Sequence, residues 1–167
     1  YGVISIDIDT GLWTYDIDEN VTTSLNVNQA SVDNFIVTVT DDLGLIATES
    51  IIVTVNGEND DPVIGGTFVG ELTEDATPIT ANVTSTDIDN DSTASYSMTD
   101  LSGLYGDIEI DDNSGVWTYS INDALATVLN AWDVVTDNFT VIVTDDNNGI
   151  STANIAVTVT GENDAPV

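Results

Sequence analysis

Residues 57–63 read GENDDPV and residues 161–167 read GENDAPV, so one heptapeptide returns after 104 positions. The same offset places GLWTY at 11–15 on GVWTY at 115–119. No gap is needed across the 63 overlapping positions, and just over half of them are identical. We interpret this as a tandem repeat of 104 residues, which is about the size of one immunoglobulin-like β-sandwich.

The repeat divides the chain into two unequal parts. Residues 64–167 make one complete repeat, whereas residues 1–63 match only its last 63 positions and lack a counterpart of residues 64–104. We therefore predict that 64–167 form a complete sandwich and that 1–63 are the C-terminal part of another. Such a part has open sheet edges, which strands from another chain can complete.

Hydrophobic alternation predicts an all-β fold of about seven strands per complete repeat. The expected strands lie near residues 66–73, 79–86, 94–99, 105–111, 115–121, 137–145 and 150–160. A short capped helix is predicted at 123–129, with Leu125, Val128, Leu129 and Trp132 on one apolar side. The aromatic residues of the strands are expected in the core.

The composition excludes several classes of function. The chain has 30 Asp and Glu residues, a net charge of −30, and no Lys, Arg, His or Cys. It therefore lacks an imidazole base, a thiolate and the usual zinc ligands, and it lacks cations for nucleic acid or anionic lipid. No apolar run is long enough to span a bilayer. Carboxylates and backbone carbonyls remain, and these oxygens are the ligands of hard cations such as Ca²⁺.

Acidic residues cluster at the expected strand ends and linkers. In a sandwich, the second-to-third and sixth-to-seventh loops share an end with the incoming linker, so one set should converge there: Asp87, Asp89, Asp91, Asp145, Glu58, Asn59 and Asp60. A second set belongs at the other end: Glu74, Asp137, Glu162, Asn163 and Asp164. Converging oxygens of this kind suit Ca²⁺ better than Mg²⁺. The alternative is a solubilising acidity in a secreted or halophilic protein, and for Asp41-Asp42 and Asp111-Asp112 we favour ordinary Asx turns.

Three motifs carry a resemblance to a known family. They are the hairpin of Tyr105-Gly106 with WTY at 117–119, the strand end VTD at 143–145, and NDAP at 163–166. Together they are similar to the VCBS and cadherin-like repeats of giant bacterial RTX-type adhesins. The resemblance covers nearly the whole chain and implies cadherin-like sandwiches with Ca²⁺ at module junctions. It implies as ligands the acids Asp33 and Asp137, the strand glutamate Glu74, the loop Asp87 and Asp89, and the linker residues Asn59, Asp60, Asn163 and Asp164. The cadherin pattern has a second acid two residues after the one before the sixth strand. This chain departs from it, because Phe35 and Phe139 follow Asp33 and Asp137 at that spacing.

These observations lead to a functional hypothesis without enzymatic activity. We expect a calcium-stabilised structural or adhesive module of an extracellular bacterial surface protein, filament or biofilm matrix, in which Ca²⁺ stiffens module junctions. The expected partners are neighbouring modules or copies of the chain, in a tandem array or a fibre. The alternative is a Ca²⁺-dependent module that binds carbohydrate or another surface. A glycosidase would need two carboxylates flanking a cleft, and no insertion is long enough to build one.

Overall fold

The computed structural model describes residues 1–164. Two compact units are present, the first made of residues 1–60 with 88–91 and the second of residues 61–87 with those from 92 onward. The strands are β1 (Gly2–Ile6), β2 (Trp13–Ile17), β3 (Ala30–Thr40), β4 (Ile46–Asn56), β5 (Val63–Gly66), β6 (Val69–Thr73), β7 (Ile79–Thr86), β8 (Ala94–Met98), β9 (Gly106–Ile110), β10 (Val116–Ile121), β11 (Val134–Asp145) and β12 (Ile150–Thr160). The helices are α1 (Glu19–Thr22) and α2 (Asp123–Ala126). Neither has the length or apolar character to cross a bilayer, within the described residues.

The second unit is a sandwich of two four-stranded sheets. Their orders are β5-β7-β10-β9 and β6-β12-β11-β8, and every pairing is antiparallel except that of β6 with β12. Alternate residues of each strand point inward, so Trp117 and Tyr119 of β10 meet Phe139 and Val141 of β11 in a fully buried core. Burial of these large apolar side chains is the main term that stabilises the unit. The predicted core positions of the aromatic strand residues are confirmed.

The predicted first strand at 66–73 is wrong, because two strands occupy this region. Gly66 adopts φ 103, a conformation that residues with a side chain rarely adopt, and its backbone approaches the carbonyl oxygen of Asn82 closely. The chain therefore leaves β5 and crosses to the other sheet as β6. The indole N–H of Trp117 donates to the carbonyl oxygen of Thr67 within this crossover, at 3.0 Å. The complete repeat thus has eight strands within the described residues, in line with the expected number of about seven.

The predicted helix is shorter than expected, and most of its apolar side is not in the core. It ends at Ala126 after a single turn, and its N-cap Asn122 makes no side-chain capping bond. Leu129 is buried, but Leu125, Val128 and Trp132 are exposed. The helical periodicity fails because the chain leaves the helix at Thr127, so the later residues no longer follow one helical face.

A tyrosine–aspartate pair links β10 to β11 and recurs in both units. The Tyr119 hydroxyl donates to Asp137 at 2.8 Å, and 104 residues earlier the Tyr15 hydroxyl donates to Asp33 at 2.6 Å. Asp137 also accepts the backbone N–H groups of residues 104–106 at 2.8–3.1 Å. Four protein donors therefore satisfy this buried carboxylate by hydrogen bonds, as buried polar groups require.

The first unit consists of two hairpins, β1-β2 and β3-β4, and no further strand pairs with either in the described residues. Its residues are more exposed than their counterparts, and Trp13 is 43% exposed where Trp117 is 0% exposed. In the second unit, the corresponding strands pair with β6, β7 and β8. Among the described residues no strand pairs with the hairpins of the first unit as β6, β7 and β8 pair in the second, and this accounts for the higher exposure.

We expect Tyr119→Phe to lower the free energy of unfolding by about 1.5–3 kcal/mol, because it removes a buried hydrogen bond to a charged group. Tyr96→Phe is the matched control, since the Tyr96 hydroxyl bonds the neutral Ser85 hydroxyl, at 3.1 Å, and no carboxylate among the described residues. That variant should lose about 1 kcal/mol. Urea unfolding followed by tryptophan fluorescence measures both losses. Equal losses of unfolding free energy would show that the bond to the Asp137 carboxylate stabilises the fold no more than a bond between neutral hydroxyls.

We also expect amide hydrogen exchange to differ between equivalent residues of the two units. Val141 and Val157 should be strongly protected, whereas their counterparts Val37 and Val53 should exchange faster, because fewer strands must open to expose them. Exchange followed by NMR makes this comparison at matched sequence positions. Equal protection of the paired valines would mean that the hairpins of the first unit gain stability from contacts other than strand pairing.

Candidate metal centre

Glu74 and Asp137 are the two deeply buried carboxylates among the candidate ligands at this end of the second unit, and Glu74 lies nearest the linker. It directly follows β6, and its N–H donates to the Thr160 carbonyl oxygen at 3.0 Å, which extends the parallel pairing with β12. Its side chain is only 3% exposed. One carboxylate oxygen, Oε1, accepts the N–H of Glu162 at 2.5 Å, whereas the other, Oε2, is buried and has no hydrogen-bond partner within residues 1–164. The parallel pairing of β6 with β12 therefore brings Glu74 beside the segment that follows β12.

The unpartnered oxygen of Glu74 has no protein cation to balance it. A buried ionised carboxylate is costly unless it is paired or hydrogen-bonded, and the chain contains no Lys, Arg or His. Carboxylate oxygens are the ligands that Ca²⁺ prefers, and a bound divalent ion would satisfy Oε2. The donor set at this position therefore fits Ca²⁺.

The linker residues next to Glu74 remain at the surface. Glu162, Asn163 and Asp164 are exposed, and the Asn163 side-chain amide donates to the Asp164 carbonyl oxygen at 3.2 Å. Across residues 1–164, no three acidic side chains lie close enough to form a ready-made metal site. An ion at Glu74 would therefore require these linker oxygens to turn toward it.

The first unit contains a related arrangement around Asp89. The Asp60 N–H donates to Asp89 Oδ2 at 2.8 Å, and the Asn90 N–H donates to the Ser24 carbonyl oxygen at 3.1 Å. The Asn59 side-chain amide donates to the Asp60 carbonyl oxygen at 3.0 Å, as Asn163 does to Asp164 in the second unit. The structure thus brings Asp60 and Asp89 together. Glu58 and Asp91 of the same set are exposed, and Asp91 has a positive φ of 61.

The other predicted ligands of this set, Asp87 and Asp145, belong to the second unit. Asp87 Oδ2 accepts the Ser92 hydroxyl at 3.0 Å. Asp145 is buried, and its Oδ1 accepts the N–H groups of Asn147 and Gly149 at 2.7 and 2.8 Å. This turn recurs 104 residues earlier, where Asp41 Oδ1 binds two backbone N–H groups. Asp145 therefore has a clear role in shaping the β11–β12 turn.

Asp33 and Asp137 have a structural role that their sequence context did not reveal. Burial, together with the bond to the Asp137 carboxylate, raises the pKa of the Tyr119 hydroxyl. Burial and Asp33 likewise raise the pKa of Tyr15 to about 12, and the Tyr15 hydroxyl holds the pKa of Asp33 below its usual value. Their assignment as calcium ligands stays a prediction. Hydrogen bonds within the chain already occupy several of the acceptor positions of these two carboxylates.

Two residues with specific contacts do not stand out in the sequence. Asp61 Oδ1 accepts the N–H of Ile150, the first residue of β12, at 3.0 Å. The sequence does mark Asp61 in one respect, because it is the second of two consecutive acids in its linker, whereas the other copy of the linker has Ala165 at the equivalent position. The other residue is Trp132, which the sequence pattern places on the apolar side of the predicted helix but which is 86% exposed.

The comparisons with known proteins agree with this geometry. The profile of the bacterial cadherin-like domain matches residues 59–161, which is more than half of the chain. The chain belongs to the bacterial cadherin-like domain family. Domains of this family are non-enzymatic adhesive or structural modules. The predicted all-β, cadherin-like sandwich is therefore confirmed, whereas the narrower VCBS assignment rests on the sequence motifs alone.

Solved structures show the same fold at low identity. The chain resembles mouse cadherin-23 EC22-24 with 17% identity and a TM-score of 0.56, covering 96% of this chain and 50% of that one. It also resembles the protocadherin gamma B7 extracellular domains 1-4 with 16% identity and a TM-score of 0.55, covering 98% and 40%. For human CDH23 EC21-23 the values are 18% and 0.51, with coverage of 95% and 50%. This cadherin-like chain thus spans half or less of these structures. A search of the curated proteins found no match.

The predicted Asx turns at Asp111 and Asp41 are confirmed, and the first generates a pH prediction. The Ser114 hydroxyl and the N–H groups of Ser114 and Asn113 donate to Asp111, which lowers its pKa. A carboxyl group with a lowered folded-state pKa stabilises the fold above its unfolded pKa of about 3.9. This contribution is lost as the pH falls through the folded-state pKa. We expect Ser114→Ala to shift the carboxyl ¹³C titration midpoint of Asp111 upward, and an unchanged midpoint would contradict the assignment.

Proposed function

We propose that this chain is a calcium-stabilised structural or adhesive module of an extracellular bacterial surface protein. The observation that carries the proposal is the buried carboxylate of Glu74, whose Oε2 has no hydrogen-bond partner among the described residues, in a chain without cationic side chains. Membership of the cadherin-like family supports the extracellular, adhesive part of the proposal. The same reasoning extends to the linker acids beside Glu74.

The ion would be held by Glu74 together with oxygens of the segment that follows β12. Glu162, Asn163 and Asp164 supply carboxylate, amide and carbonyl oxygens within one short stretch. Extracellular modules bind Ca²⁺ with dissociation constants of about 10⁻⁴–10⁻³ M, which keeps them saturated outside the cell. In the first unit, Asp89 with residues 58–60 forms the corresponding candidate set. The remaining predicted ligands, Asp33, Asp87, Asp91, Asp137 and Asp145, stay as predictions.

Bound Ca²⁺ would also stabilise the fold by neutralising part of the chain's negative charge. Thirty uncompensated negative charges repel one another and destabilise a compact state. Ca²⁺ bound at the linkers would lower this repulsion where the chain passes from one repeat to the next. We infer that this is how the ion stiffens consecutive modules in an array of the kind found in large RTX-type adhesins, filaments or biofilm-matrix proteins.

Completion of the first unit by strands from another chain stays a prediction. The two hairpins β1-β2 and β3-β4 have open sheet edges, which would accept further strands by strand addition. Neighbouring modules or copies of the chain are the partners that would supply these strands.

The experiment that tests the proposal compares two glutamates close together in the sequence. Glu74 is buried, whereas Glu71 on β6 is exposed, so Glu74→Gln and Glu71→Gln remove the same charge from different environments. We expect about 5 mM Ca²⁺ to raise the melting temperature of the wild type and of Glu71→Gln, and to raise that of Glu74→Gln much less. Differential scanning calorimetry with and without EDTA measures these shifts.

The stability of Glu74→Gln relative to the wild type in the absence of metal provides an internal control. In EDTA, Glu74→Gln should be at least as stable as the wild type, because a neutral amide is cheaper to bury than an unpaired carboxylate. A wild type whose melting temperature does not respond to Ca²⁺, or a Glu74→Gln variant that responds like the wild type, would overturn the proposal.

A further inference from the structure

Trp132 is displayed on the surface of the second unit in an unfavourable backbone conformation. Its side chain is 86% exposed, and its φ is 74. A solvated indole gains nothing from the hydrophobic effect, and a bulky residue in the left-handed region carries a backbone cost. The equivalent position in the first unit is Asn28 with φ 66, a residue type that tolerates this conformation. Folding alone thus does not explain a tryptophan here.

The turn that carries Trp132 is held by its backbone rather than by the indole. The Trp132 N–H donates to the Gly161 carbonyl oxygen at 3.0 Å, and the Gly161 N–H donates to the Asp133 carbonyl oxygen at 2.8 Å. The Asn130 N–H and side-chain amide donate to the Asp133 carboxylate at 2.8 and 2.9 Å. The ring is therefore presented from a fixed support, which lowers the entropy that a ligand must overcome.

An open groove adjoins the indole. Its lining, besides Trp132 and the small residues Ala131 and Gly161, consists of Thr73, Thr160, Glu162 and Asn163. Thr73 and Thr160 are cross-strand partners at the ends of β6 and β12. The groove thus combines one aromatic face with hydroxyl, amide and carboxylate groups.

We propose that this groove binds a glycan with free amino groups, of the glucosamine-oligosaccharide type. The apolar face of a pyranose ring would stack on Trp132, its hydroxyls would meet the threonine pair, and its ammonium group would lie toward Glu162. A cation near an indole face gains cation–π attraction, for which tryptophan is the best partner. Anionic glycans are disfavoured by the charge of −30.

Other ligands match the groove less well. A second copy of the chain has no Lys or Arg to place against Glu162. A lysine-rich peptide supplies ammonium groups, but it lacks the flat ring with hydroxyl edges that the indole and the threonine pair fit. A neutral glycan would leave the carboxylate unused. The groove shares Glu162 and Asn163 with the proposed Ca²⁺ site, so the test is run in EDTA, where no metal competes for these side chains.

The test titrates the ¹⁵N-labelled 167-residue chain with a glucosamine hexamer in EDTA, at about 150 mM salt to screen non-specific attraction. The three tryptophans give three indole N–H signals. We expect the Trp132 signal to shift, while those of the buried Trp117 and of Trp13 in the first unit stay in place. Trp132→Ala should weaken binding about fivefold, whereas Trp13→Ala should bind like the wild type. Glu162→Gln should weaken binding and its dependence on salt.

Two further ligands complete the experiment. The N-acetylated hexamer and a hexalysine peptide should each bind more weakly than the glucosamine hexamer. Equal binding of the N-acetylated hexamer would overturn the role of the ammonium group, and tighter binding of hexalysine through Trp132 would assign the groove to a basic peptide instead. Equal shifts of Trp13 and Trp132, or unchanged affinity of Trp132→Ala, would reduce the interaction to non-specific charge attraction and overturn the proposal.

Discussion

The constraint on which the structure depends is the lack of any cationic side chain in a protein that buries carboxylates. Most folded proteins balance a buried acid with Lys, Arg or His, and this chain cannot. It has two remaining means, which are backbone N–H donors and external cations. Asp137 uses the first, with three N–H groups and a tyrosine hydroxyl around it. In the part of the chain that the structure describes, Glu74 receives a single N–H group at one oxygen, and its other oxygen is suited to an external cation.

The duplication lets the protein serve as its own comparison. Tyrosine–aspartate pairs, aspartate turns and Asn-Asp linkers recur at a spacing of 104 residues with closely similar bonds. Features that recur are those required by the repeat fold. Features that differ, such as Trp132 in the place of Asn28, are candidates for a specific role, because the fold does not require them.

Much of the fold could be predicted from the sequence because strand alternation and the repeat are local or periodic signals. The sandwich, most strand positions and the buried aromatic residues follow from them. The division of the first strand depends on the backbone conformation at Gly66, which a hydrophobic pattern does not encode. The exposure of Trp132 was missed because helical periodicity was extended beyond Thr127, where the helix ends.

The candidate site was predictable only in part. The pairing of β6 with β12 explains why Glu74 meets Glu162, and sandwich topology was enough to expect it. The role of Asp137 depends on three backbone N–H groups of a loop, whose direction no sequence pattern reveals. Acidic residues that shape turns and acidic residues that bind metal look alike in sequence, because both follow strand ends.

The most direct test of this account is a crystal structure of the chain grown with Ca²⁺, followed by an anomalous difference map after exchange with Tb³⁺. The account predicts a peak about 2.3–2.6 Å from Oε2 of Glu74, with oxygens of the segment after β12 completing the coordination. A map without a peak there, in which Oε2 instead accepts a hydrogen bond from the protein, would contradict it.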